Sequence, residues 1–190
     1  MLPVFALVVQ LAGPIGVADS AWQAITDEGV LRASAVVDSV YIDRLLPAAT
    51  VSGGDFTAYL MARLGIHGLP PGFRYRVAVD STQIRIGGRV SELPAEARAA
   101  LHPLVTWLAP EAWLEAQVEL LPAGREAVRF RLRSASVEGI PVPEAVLAPV
   151  LAGVGEQYPA LTRTGRDLLV QIPPGAAMRL VPGGVVLLGP

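Results

Sequence analysis

Cysteine is absent from this chain, and so are lysine and asparagine. Without thiols there is no disulfide, no thiolate metal site and no cysteine nucleophile. Only two histidines occur, His67 and His102, too few for a histidine-rich zinc site and with no cysteine to complete one. Neither has a neighbouring carboxylate or hydroxyl nucleophile in sequence that would mark a catalytic triad. Charge is scarce as well: 17% of residues are charged and the formal net charge is −2, which leaves no basic footprint for nucleic acid. All fifteen basic residues are arginine, which fits either a GC-rich genome or guanidinium groups directed at anionic head groups. No loop has the strand–glycine–helix context that phosphate cradles require. The sequence therefore offers no catalytic residues, no metal ligands and no cofactor motif, and reads as a protein that is not an enzyme.

What the chain has in quantity is apolar surface. Hydrophobic residues make up 52% of its 190 residues, enough for one domain with a substantial core. Leu2–Ala18 is an apolar run interrupted by Gln10, Gly13 and Pro14. Its length suits a signal peptide or a short anchor better than a full span of about 20 residues. Residues 1–20 are thus expected to be a signal peptide or N-terminal anchor, and residues 21–190 a single domain that is periplasmic or membrane-anchored facing the periplasm.

Past that point Ala21–Ala33 reads as helix and Val36–Ile42 as strand. Ser52-Gly53-Gly54-Asp55 has helix-start spacing, and Phe56, Tyr59, Leu60 and Leu64 then share one helical face. Phe73, Tyr75, Val77 and Val79 alternate with polar residues, and Ile84, Ile86 and Val90 continue that apolar face beyond a turn at Ser81-Thr82. Arg74, Arg76, Arg85 and Arg89 fall on the other side, either a solvated sheet face or a contact for anionic head groups. Leu93-Pro94 opens a further helix to about Leu108, broken at Pro103. In Trp113–Leu121 and Val128–Val137 the period of two recurs, and a turn at Pro122–Arg125 implies a hairpin with Glu119 opposite Arg129 and Glu115 opposite Arg133. Val142–Tyr158 is a helix apolar nearly all round. Leu168, Val170 and Ile172 form a strand, and Met178–Val181 with Val185–Leu188 a last hairpin that closes the sheet. The expected class is α+β, a curved antiparallel sheet of hairpins with three helices packed on its concave face.

Gly139-Ile140-Pro141-Val142-Pro143-Glu144 before an apolar helix, the Leu168–Ile172 strand, and Val51-Ser52-Gly53-Gly54-Asp55 leading into Tyr59-Leu60 resemble the pattern of small bacterial envelope proteins of the tubular lipid-binding kind. The resemblance spans roughly Val51 to Leu188. It implies a curved sheet around helices, an elongated lipid-accommodating groove and no enzymatic activity. The candidate groove residues are Tyr59 and Leu60, the strand residues Phe73, Tyr75, Val79, Ile84, Phe130 and Leu132, and the helix residues Leu147, Val150, Leu151 and Val154. The expected ligand is a lipid or acyl chain. A different class of function, an accessory or scaffold subunit docking on a membrane protein complex through exposed apolar surface, fits the same composition.

Overall fold

The computed structural model describes residues 22–66, 69, 73–93, 98–99, 102 and 104–190. The apolar run Leu2–Ala18, His67, the Pro70-Pro71-Gly72 break, the helix start at Pro94–Glu96 and the break at Pro103 lie outside the described residues. Of the helix expected over 93–108, the described residues Arg98 and Ala99 are α-helical and Leu104–Trp107 forms a 3-10 turn.

Ten strands in two antiparallel sheets and three α-helices make up the described fold, an α+β architecture. The larger sheet runs β1 (Gln23–Ala24), β3 (Arg76–Val79), β4 (Ile84–Arg89), β5 (Trp113–Pro122), β6 (Ala127–Val137), β7 (Ile140–Pro141), with β8 (Asp167–Gln171) also paired to β6. The smaller sheet runs β2 (Ala48–Ser52), β10 (Gly184–Leu188), β9 (Ala177–Val181). The last hairpin therefore does not close the main sheet. Its apolar β10 lies between β2 and β9 instead, which pairs both of its edges and removes an aggregation-prone edge.

Strands β5 and β6 form the predicted hairpin in a different register. Glu119 faces Arg131 and Leu121 faces Arg129, so the expected Glu119–Arg129 and Glu115–Arg133 pairs do not form. Two causes combine. The connection is Ala123–Glu126, closed by the Ala123 N–H on the Ala127 carbonyl at 3.0 Å. A bulge then follows: Val118 pairs with Leu132 but Gln117 with Ser134, leaving Arg133 as the extra residue. A bulge bends its strand and reverses the inward–outward phase. Here it puts Ala135 and Val137 on the same side as Val128, Phe130 and Leu132, so one apolar face continues along a curved strand. At the far end Glu138 and Gly139, with φ of 50° and 76°, make the two-residue turn that hairpins favour, and Val137 pairs with Ile140.

Helix α1 (Asp27–Val37) is capped by Thr26 and continues without a break as a π-turn over Asp38–Ile42. Val36–Ile42 is thus helical where a strand was expected. Val40 and Tyr41 are buried, and this single apolar face suits a helix as well as a strand. Helix α2 (Gly53–Arg63) starts from Ser52, whose Oγ accepts the Asp55 N–H at 3.2 Å. Its glycine pair is a matter of space. A Cβ at Gly53 would meet Val79 Cγ2 at 2.6 Å, and one at Gly54 would collide with the Ala24 carbonyl. Gln23 ties this corner together, donating to the Gly183 carbonyl at 2.7 Å and accepting from Gly54 N–H at 3.0 Å.

Packed between the two sheets, α2 carries Phe56 at the centre of the core, fully buried with Val40, Val77, Val185 and Leu187. Its ring lies 5.7 Å from that of Phe130. Helix α1 runs along α2, and Arg32 grips Asp55 through a fork of hydrogen bonds at 2.6 and 3.0 Å. The Arg32 guanidinium holds the Asp55 carboxyl below its ordinary value, against the opposing effect of burial. The folded state therefore favours the carboxylate, and the resulting stability is full above the ordinary value of about 3.9 and lost as pH falls through the lowered one. Arg32 is exposed, so Asp55→Asn should cost less than about 1 kcal/mol at pH 7. In urea titrations at decreasing pH, the gap between variant and parent should close on the acid side.

Helix α3 (Glu144–Gln157) follows the predicted apolar segment. No α-helix among the described residues is long and apolar enough to cross a membrane.

Candidate functional site

Where α2 crosses the concave face of the main sheet, it does not fill the space beneath it. An apolar trough of about 260 Å³ remains. Thr57, Leu60 and Met61 of α2, with Leu64 just past its end, form its roof. Its floor is sheet: Ile84 and Ile86 from β4, Ala116 and Val118 from β5, Phe130 and Leu132 from β6, and Leu168 from β8. The alternation of each strand delivers these residues to one face, and the bulge keeps that face continuous.

The third wall is the loop between α3 and β8, through Leu161, Gly165 and Arg166. Its position is fixed from both sides. Leu161 forms an isolated bridge with Leu168, and the Arg166 carbonyl accepts the Leu132 N–H at 2.9 Å. Against α3, Gly165 sits so close that a Cβ would collide with the Leu151 carbonyl, and Gly155 lies against Thr162 and Arg163. Gly165 has φ of +67°, a left-handed conformation that glycine adopts without strain. Arg166 pairs with Glu144 at the start of α3. Next along the chain, Asp167 is engaged by Arg131 Nε at 2.8 Å.

Of the residues expected to line a groove, Leu60, Ile84, Phe130 and Leu132 meet in this trough. Tyr59 is placed against Phe56 with ring centroids 6.3 Å apart, and Val79 is buried beside Gly53. Phe73 and Tyr75 stack on each other at 5.3 Å, with Tyr75 over Gly88 and its hydroxyl donating to the Arg89 carbonyl at 3.3 Å. Burial, and then the nearby Glu92 carboxylate, raise the Tyr75 phenol above its ordinary value. Leu147, Val150 and Leu151 are buried and Val154 half-buried on α3, but the trough lining includes no residue of that helix. The loop through Gly165 stands between α3 and the trough, so the α3 residues do not form the wall expected of them.

Sequence reasoning did not select Leu64, Ile86, Ala116 or Val118 as site residues, although their periodicity placed each of them on an apolar face, and it did not place Met61 on a face at all. It also missed Thr57 and the loop residues Leu161, Gly165 and Arg166, which nothing local marks as part of a site. A larger cleft of about 370 Å³ between the sheets mixes Ser81, Thr82, Arg125 and Arg179 with aliphatic side chains. A third, of about 290 Å³, lies between α1 and α2. Among the described residues, no three acidic or histidine side chains converge as a metal site. Compared with protein-family models, with curated proteins and with solved structures, the chain matches none.

Proposed function

We propose that this protein is a non-enzymatic, envelope-facing binder of a lipid or acyl chain, and that the chain lies in the trough between α2 and the main sheet. The observation that carries this reading is the open space itself, apolar on roof and floor. At about 260 Å³ it is slightly smaller than the roughly 300–1,000 Å³ typical of sites for drug-sized ligands. That size suits one short chain or the end of a longer one. Each methylene moved there from water would contribute about 0.8 kcal/mol.

A side chain grown into the space should compete with the ligand. Ala116→Phe, on the trough floor, is expected to fill it without breaking a strand pairing. Native mass spectrometry should then find a lipid adduct on the parent protein and none on the variant, with both showing the same far-UV circular dichroism. A parent that never carries lipid, even after incubation with medium-chain alkyl compounds, would refute the reading.

A second reading draws on another observation. Ile42, Leu45 and Leu46 are 70%, 73% and 44% exposed within one short segment. Such a cluster suits docking on a membrane protein complex. Pull-down from solubilised membranes separates the two: a stoichiometric protein partner supports docking, and a lipid-loaded monomer supports carrying.

A further inference from the structure

Among the described residues, one charged residue lines the trough, Arg166. Everything else there is aliphatic or aromatic apart from Thr57 and Gly165. An arginine at the rim of an apolar trough is costly to leave without an anion, and here the anion is Glu144.

The two partners depend on that contact unequally. The Glu144 side chain is 66% exposed and that of Arg166 only 27%. Glu144 also lies in the first turn of α3, where free N–H groups and the helix dipole favour a carboxylate. It can therefore part from Arg166 and remain well solvated. The backbone of Arg166 is held in place, its carbonyl bonded to Leu132 N–H and the preceding Gly165 wedged against α3, and its less exposed side chain has less water to turn to. Asp167 is no substitute partner, being held by Arg131. An ion pair with one solvent-exposed member is weak, so another carboxylate can displace Glu144.

We infer that Arg166 is the head-group site of the trough and that the preferred ligand is a single-chain carboxylate, a fatty acid, with Glu144 occupying the cation when no ligand is bound. The planar guanidinium presents paired N–H donors that match the two oxygens of a carboxylate. From there the alkyl chain runs along Leu132 and Leu168 towards Leu60 and Phe130. This assignment rests on the acyl-chain reading above and adds to it a head-group chemistry and a built-in competitor.

The test is calorimetric titration of the delipidated full chain with decanoate, decanol and acetate. The parent should bind decanoate about tenfold more tightly than decanol, the scale of one charge-assisted hydrogen-bond pair, and should not bind acetate measurably. In Arg166→Gln the ratio of decanoate to decanol affinity should fall to about one. In Glu144→Gln, which frees the guanidinium but keeps a side chain of the same shape, decanoate should bind several-fold more tightly and the ratio should rise. Equal affinities in the parent, a preference that survives Arg166→Gln, or a ratio unchanged in Glu144→Gln would each overturn the head-group assignment while leaving the acyl-chain reading intact. Acetate binding as tightly as decanoate would overturn it too, by showing an anion site that owes nothing to the trough. Failure of both ten-carbon ligands to bind would remove the acyl-chain reading, and this assignment with it.

Discussion

Phe56→Ala is expected to destabilise the protein by about 3–5 kcal/mol, the range for removing a fully buried phenylalanine ring. Phe56 has no exposed surface and joins α2 to the main sheet through Phe130, itself part of the trough floor. Two losses add: the transfer energy of the ring, and the cavity left between elements that cannot collapse because both sheets pin α2. For a chain of this size each kcal/mol lowers the melting temperature by about 2–4 °C, so calorimetry should show a fall of roughly 10 °C. Leu31→Ala is the matching control. Leu31 is 74% exposed, and its truncation should change stability by no more than about 0.5 kcal/mol.

Gly165→Ala is expected to act on both stability and binding. The residue has φ of +67°, which costs an L-residue roughly 1–2 kcal/mol, and its new methyl would collide with the Leu151 carbonyl. The loop cannot relieve that collision without pulling Arg166 away from Leu132 and opening the trough wall. A total cost on the order of 2–4 kcal/mol follows, together with loss of acyl-chain binding. Gly124→Ala isolates the conformational part. It has φ of +93° and no atom within 4 Å of the added Cβ, so about 1 kcal/mol should be lost with binding intact. Urea denaturation of the two variants, followed by ligand titration, separates strain from collision.

How far the sequence foretells this fold depends on whether a feature is local. Alternation in Trp113–Leu121 and Val128–Leu132 identified two strands and the face they turn to the trough, and the Ser52–Asp55 start identified α2, because pleat and cap act over a few residues. Within Phe73–Val79 only Arg76–Val79 is strand. The phase change between Leu132 and Ala135 is also written in the chain, as Arg133-Ser134 breaks the alternation, but reading it as a bulge needs the partner strand. Pairing of Ala48–Ser52 with Gly184–Leu188 joins segments more than 130 positions apart, and nothing in either one specifies the other.

The site shows the same division. Leu60, Ile84, Phe130 and Leu132 were recognisable as inward-facing, and they do meet. The helix α3 is the most apolar of the three helices, yet hydrophobicity has no direction around a helix that is apolar nearly all round. Its buried residues lie behind the loop instead of on the trough. Arg166 lies two residues before Leu168, in phase with that strand's alternation, but nothing local marks it as part of a site. Its place follows from three long-range constraints: the bond to Leu132, the wedge of Gly165 and the pairing with Glu144.

The most direct measurement is a chain-length series: straight-chain carboxylates from eight to twelve carbons titrated into the delipidated protein at several temperatures. An acyl chain buried in the trough predicts saturable one-to-one binding with a negative heat-capacity change, and affinity that rises by about 0.8 kcal/mol per methylene until the space is full. Affinity independent of chain length, or no saturable binding at any length, would contradict it.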